Sequence, residues 1–194
     1  MEKYYVVKYS GSFGFIKPWT AVRDSETFSQ QFLTPSLVEG IEKKLFPELL
    51  EEKGIKKILR HRLSYSQINQ QQEVIQTRGW NSTRKGKQIL FDRPTAVLIR
   101  GVLLEPILHL AFSNREDAEK AFVQHICLCR NEDILMPIEI IEVSKEDFDN
   151  EEMYNGYELI FEKNENSFQV GYHRFTNEPM YGWLKIVGNP INSF

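Results

Sequence analysis

From Lys56 to Arg100 the chain carries Lys56, Lys57, Arg60, Arg62, Arg78, Arg84, Lys85, Lys87, Arg93 and Arg100 against only two acids, Glu73 and Asp92. Amides are interleaved with them at Gln67, Gln70, Gln71, Gln72, Gln76 and Gln88, and rings stand at Tyr65 and Trp80. Guanidinium and ammonium groups neutralise phosphates, carboxamides read base edges, and aromatic faces stack on unpaired bases. A solvated hairpin whose charges contact nothing in particular would also be cationic, but it has no need of the amides and rings. The expected RNA contacts in this stretch are Arg60, Arg62, Arg78, Arg84, Lys85, Lys87, Arg93 and Arg100, with Trp80 or Tyr65 as stacking surfaces. Lys17 and Arg23, in and after a glycine turn near the N-terminus, and Arg130 complete the set. Gly11, Gly14 and Gly40 are the glycines expected to let backbone approach closely there.

His125, Cys127 and Cys129 occur at every second residue, so on a strand they share a face. A zinc site needs about four ligands, and no second cluster supplies the rest. A buried strand face that accepts small, polarizable cysteines is the expectation. A thiol beside an imidazole also suggests a cysteine nucleophile, yet no glycine-rich oxyanion loop accompanies it. No metal or cofactor is expected.

These side chains need a scaffold. At 194 residues the chain fits one domain with a proper core. Its 24 Lys and Arg against 27 Asp and Glu give a net charge of −3, which argues against coating nucleic acid through bulk charge but leaves room for a local patch. Acids gather at Glu48 to Glu52 and Glu132 to Glu152, making the protein electrically two-sided. No charged-then-apolar leader and no membrane-length apolar run is read, so a cytoplasmic protein with no membrane contact is expected. Cys127 and Cys129 are too close to form a disulfide framework, which fits a reducing compartment.

The pattern opens with an apolar strand, Tyr4 to Tyr9, a Gly and aromatic turn from Ser10 to Trp19, an extended run to Phe32, and a helix. Ser36 with Glu39 forms a candidate capping box, the alternative being Thr34 as cap with Pro35 at the first helical position. Leu37, Ile41 and Leu45 fall on one face, with Glu39, Glu42, Lys43 and Lys44 pointing elsewhere. A short turn ended by Gly54 and a strand from Ile55 to Tyr65 follow. Residues 66–94, thin in apolar content, read as a long hairpin arm bent at Gly79 or Lys85-Gly86. A long strand bent at Gly101 and Pro106 runs to Phe112; a helix spans Asn114 to His125; strands cover Ile126 to Cys129 and Leu135 to Val143. The fold class is therefore α/β (α+β): a ferredoxin-like or RRM-type domain over 1–145, arm included, with a small C-terminal β extension over 146–194 in the same globule.

Several of these parts have a familiar spelling. The opening strand, Gly11-Ser-Phe-Gly-Phe15 with Pro18, Phe28-Ser29, and Thr34-Pro35-Ser36 with Gly40-Ile41 resemble the N-terminal signature of the Cas-five family of CRISPR-associated RAMP proteins, type I-C form. Val97-Leu-Ile-Arg-Gly-Val102 leading into Leu108-His-Leu-Ala-Phe112, and Cys129-Arg130 with Glu132 and Pro137, are similar to later segments of that family. The C-terminal hairpin matches loosely, through Gly171. The resemblance implies a subunit of a Cascade-type antiviral complex that grips the repeat-derived 5′ handle of the CRISPR RNA. It would dock beside the large and first backbone subunits and meet target DNA only within the complex. In the type I-C branch the subunit also cuts precursor RNA without metal, using a tyrosine, a lysine and a histidine. Here the tyrosine position is Phe46, which cannot transfer a proton. The lysine–histidine pair falls at Lys120-Ala121, with His125 one turn on as a substitute. The resemblance therefore implies RNA binding ahead of endoribonuclease activity. An unrelated α/β enzyme of small-molecule metabolism is the remaining reading.

Overall fold

The computed structural model describes residues 3–18, 25–150, 153–173 and 176–191. Over these residues it is a mixed α+β protein, mostly strands with three α-helices. The strands are β1 (Lys3–Ser10), β2 (Phe13–Gly14), β3 (Glu26–Phe28), β4 (Ile58–Ser64), β5 (Gln67–Gln76), β6 (Asn81–Lys85) and β7 (Gln88–Asp92), followed by β8 (Thr95–Leu104), β9 (Ile107–Phe112), β10 (Ile126–Cys127), β11 (Ile134–Ser144), β12 (Gly156–Ile160), β13 (Phe168–Tyr172) and β14 (Pro179–Val187). The helices are α1 (Pro35–Leu45), α2 (Arg115–Phe122) and α3 (Lys145–Phe148).

An eight-stranded sheet runs β10-β11-β1-β9-β4-β12-β14-β13. Its centre, β11-β1-β9-β4, is antiparallel throughout. Alternation along each strand sends one set of side chains to each face. On one face Val7, Tyr9, Leu110 and Phe112 pack with Val38, Ile41 and Leu45 of α1 and Ala118 and Ala121 of α2. On the other, Tyr4, Val6, Ala111 and Val143 are covered by Phe148 and Tyr154, from α3 and the segment after it. The C-terminal strands continue this sheet, because β12 pairs with β4 at Tyr157 and Leu63.

Helix α1 starts from Thr34, with Pro35 in its first turn, so Ser36 is not the cap. Proline lacks the N–H that an N1 position leaves unused, which favours this start. Glu42 does not point outward. It is fully buried, and its carboxylate accepts the backbone N–H groups of Lys56, Lys57 and Ile58 at 2.8, 2.6 and 2.8 Å. The helix thereby ties down the entrance to β4. Gly40 lies exposed with nothing within 4 Å of where a Cβ would stand, so no close approach explains it. Gly11 and Gly14 do need their missing side chains: a Cβ at Gly11 would collide with the Ile134 carbonyl, and one at Gly14 with Leu128.

The expected long strand to Phe112 is two strands in two sheets. Glu105, at a φ of 49°, breaks it, leaving β8 in the arm sheet and β9 in the main sheet. Helix α2 ends at Phe122, three residues before His125. Beyond it Ile126 and Leu128 are the buried positions, while His125 and Cys129 are exposed and Cys127 is half-buried. The histidine and cysteines thus occupy the outward set of an alternating segment, because the aliphatic side chains gain more from burial.

Candidate nucleic-acid interface

β5 and β8 pair from Gln67↔Leu104 to Gln76↔Thr95 without a register shift, forming the stem of the arm. β3 flanks the stem near its base by pairing with Ile99, Arg100 and Gly101. Thr77 N–H then bonds the Pro94 carbonyl at 2.9 Å, and β6 and β7 form an outer hairpin. Its two-residue loop is Gly86-Lys87, with Gly86 at a φ of 65°. A glycine at the first loop position suits the type II′ turn that matches strand twist.

Arg78, Arg84, Lys85 and Lys87 are all exposed, and no carboxylate pairs with any of them among the described residues. Arg84 donates only to the Gly86 carbonyl, at 3.4 Å. Cations held on a projecting hairpin without counter-charges are available to an anion, and little desolvation opposes its approach. Trp80 is 64% exposed, and the Arg93 guanidinium sits 5.3 Å from the centre of its ring while donating to the Thr77 carbonyl at 3.0 Å. Arg93 therefore braces the hairpin base and one face of the indole.

Phe91 is 67% exposed opposite Ser82, on the same face as the Arg84–Ile89 pair. It is a second ring surface, one that the cationic and amide pattern did not single out. The two-residue alternation from Arg84 outward was the signal available for it.

The remaining candidates separate. Lys17 is exposed beside the glycine turn, and Arg23 lies outside the described residues. Arg100, 3.4 Å from Glu73, and Arg130, 2.6 Å from Asp133, both sit near the Phe15 ring, at 5.9 and 5.3 Å from its centre. The fold thus gathers two arginines from distant sequence at the arm's base, each already holding a carboxylate.

Arg60 and Arg62 are not available to RNA. Arg62 is fully buried under α3: its guanidinium donates to the carbonyls of Phe148 and Tyr154 and to Asp149 and Glu158, over the face of Phe148. Arg60 holds the Glu158 and Asp149 carboxylates from the same side. Lys185 reaches Asp149 at 2.9 Å. Burial raises the Asp149 carboxyl, but hydrogen bonds from Lys185 and Arg60 outweigh it and hold the group at about 2. Tyr65 is likewise no stacking surface, since it is buried against Tyr157 with its hydroxyl donating to Gln31 at 2.6 Å.

A groove of about 780 Å³ opens beside Gly11, between Ser10, Ser12, Tyr65, Ser66 and Ile107. Among the described residues its charged lining groups are Glu105 and Glu132, with no lysine or arginine. Phosphates are therefore disfavoured in it, and the cationic character belongs to the arm. Gly14 is buried and does not line this groove.

For cleavage chemistry the groups are poorly placed. Phe46 is fully buried edge-on to Phe112 at 5.9 Å, with the Lys57 ammonium 4.2 Å above its ring. Lys120 is exposed and engaged by Glu116 at 3.0 Å, one turn away on α2. His125 lies past the end of that helix. Among the described residues no group of three His, Cys, Asp or Glu side chains could hold a metal ion, and no helix is long and apolar enough to cross a membrane.

No family model matches this chain, and no curated protein matches it. A solved chain described as "CRISPR RNA-guided surveillance complex" does superpose on it, with a TM-score of 0.55 at 10% sequence identity, covering 97% of this chain and 90% of that one. The two share a fold. That leaves function to be argued from the site itself.

Proposed function

We propose that this chain is an RNA-binding subunit of a CRISPR RNA-guided surveillance complex and grips the repeat-derived 5′ handle of the guide with its arm. The observation that carries the reading is the outer hairpin: Arg78, Arg84, Lys85 and Lys87 stand exposed, without carboxylate partners among the described residues, on the segment that also carries the bared rings of Trp80 and Phe91. Phosphates would lie against the cations and unpaired bases against the rings. Two features support it. The element order β1-α1-β4-β9-α2-β11 with strand order β11-β1-β9-β4 is that of a ferredoxin-like, RRM-type domain. The shared fold with a chain of such a complex adds to this. Backbone and large subunits of the complex would be its protein partners, with target DNA met only inside the assembly, in the cytoplasm.

The test is binding of a fluorescent single-stranded repeat RNA across a salt series. Four neutralised phosphates give a slope of about −3 in log K against log salt, at roughly 0.7 per contact on single strands. A variant with Arg78, Arg84, Lys85 and Lys87 all changed to alanine should bind about 100-fold to 1,000-fold more weakly and lose most of the slope, with an unchanged melting temperature. Equal affinity and slope in the two proteins would end the reading.

RNA binding without cleavage is the expected behaviour. Phe46 cannot move a proton and is sealed in the core, so general acid–base chemistry lacks one of its groups there. Repeat RNA incubated with the protein in EDTA should be recovered intact on a denaturing gel. A single cut just upstream of the handle, lost in Lys120→Ala or His125→Ala, would establish the endoribonuclease instead.

A further inference from the structure

The inner edge of β5 is fully paired with β8, and its outer edge pairs with no strand among the described residues. Edge strands invite pairing, and proteins blunt them with lysine, proline, a bulge or a short length. β5 has none of these. It spans Gln67–Gln76 in unbroken register, and its one charge, Glu73, is engaged by Arg100. Toward the tip, beyond β3, β5 and β8 pair with no third strand among the described residues, and Val74 is 68% and Val97 52% exposed. Two strands alone are marginally stable in water, and additional strands stabilise them.

The strand is also complementary to itself. In an antiparallel pair of identical strands, a two-fold axis perpendicular to the sheet sets one residue opposite its own copy. Centred on Gln71, that register places Ile68 opposite Val74, Gln70 opposite Gln72 and Asn69 opposite Glu73. Apolar meets apolar, amide meets amide, and the carboxylate meets an amide rather than its own copy. The backbone is phased for it. The Gln70 N–H bonds the Asn69 side chain at 2.7 Å instead of β8, so even-numbered residues direct their backbone groups outward. Those residues would form the hydrogen-bonded pairs, the Gln70 N–H exchanging the Asn69 side chain for the facing Gln72 carbonyl, and Gln71 would face its copy at a non-hydrogen-bonded position.

We propose that β5 pairs antiparallel with β5 of a second copy of this chain, about a two-fold axis at Gln71, joining two arms into one continuous sheet β8-β5-β5-β8. Val74 is covered by Ile68 of the other copy, and β5 gains a partner along its outer edge. The pairing buries less than a standard interface, so the dimer is concentration-dependent.

Sedimentation equilibrium of the full chain, without RNA, tests it. The expected result is a monomer–dimer equilibrium that Val74→Lys weakens at least about tenfold, by burying an ammonium opposite Ile68. In a Cys127→Ser, Cys129→Ser background, Gln71→Cys should give a disulfide-linked dimer under mild oxidation, because facing Cα atoms at such a position lie roughly 4.5 Å apart. A mass that stays monomeric up to roughly 100 µM, between the millimolar and micromolar marks of the affinity scale, would overturn the proposal. So would cross-linking of Gln72→Cys as efficient as that of Gln71→Cys. Either failure is separate from the RNA reading, which is measured by affinity and salt slope.

Discussion

Between pH 6.5 and pH 4 the folded protein should lose on the order of 3 kcal/mol of stability for each of two buried histidines. His61 and His109 are only 4% and 5% exposed, and His61 Nε2 and His109 Nδ1 find no hydrogen-bond partner among the described residues. Burial pushes His61 down to about 4; Glu158 opposes the shift, while Arg60 and Arg62 add to it. Burial does the same to His109, also to about 4, with Lys8 and Arg62 adding to it. The sign follows from proton uptake. Below pH 6.5 the unfolded chain protonates these rings and the folded chain does not, so the stabilisation is complete above 6.5 and is lost as pH falls to about 4. A depression of about 2.5 pH units corresponds to roughly 3 kcal/mol per ring. A second loss, from Asp149, should begin only below its ordinary value of 3.8 and continue to about 2. Urea midpoints followed by tryptophan fluorescence at pH 7.5, 6.5, 5.5 and 4.5 give the profile. His109→Phe should flatten it by about half, and a profile flat from 7.5 to 4.5 in the unmodified protein would contradict the account.

Arg62→Ala should destabilise the protein by about 3–5 kcal/mol, the usual cost of removing one partner from a buried ionic cluster. Two carbonyls, Phe148 and Tyr154, would lose their donor, and the Glu158 carboxylate would keep only Arg60. For a chain of this length that corresponds to a fall of roughly 6–20 °C in melting temperature. Arg62→Lys should recover little of it, because one ammonium cannot span acceptors arranged for a planar fork. The contrast with the arm is the useful readout. Alanine at Arg78 or Arg84 should leave the melting temperature unchanged while weakening RNA binding. Arg62→Ala should do the reverse in whatever fraction stays folded. If Arg62→Ala melts like the parent and loses RNA affinity, the assignment of the two arginine classes is inverted.

That contrast marks where the sequence stopped. Arg60 and Arg62 belong to the same cationic run as Arg84 and Lys85, and nothing local separates them. A strand fixes only that alternate residues share a face. Whether that face meets solvent depends on what lies over it, and here the cover is Phe148 and Tyr154, more than eighty residues away in sequence. The same reason accounts for Glu42, which sits on a polar stripe of α1 but receives three backbone donors from the entrance to β4. It also accounts for the split between β8 and β9, where Pro106 announced a break but not that the halves would join different sheets.

What the sequence determined by itself was whatever depends on short-range chemistry. The period of apolar residues placed most of the strands and the first two helices, the Thr34-Pro35 start was among the caps it offered, and Lys85-Gly86, where Gly86 takes a positive φ, was one of the two bends it offered for the arm. The thin apolar content of 66–94 pointed to a projecting segment, but not to the pairing of its inner strand β5 with β8, which lies outside that span. Only the tertiary structure decided which cations are free. An arginine's availability is set by its desolvation and by the carboxylates that reach it, and both are properties of neighbours brought together from distant parts of the chain.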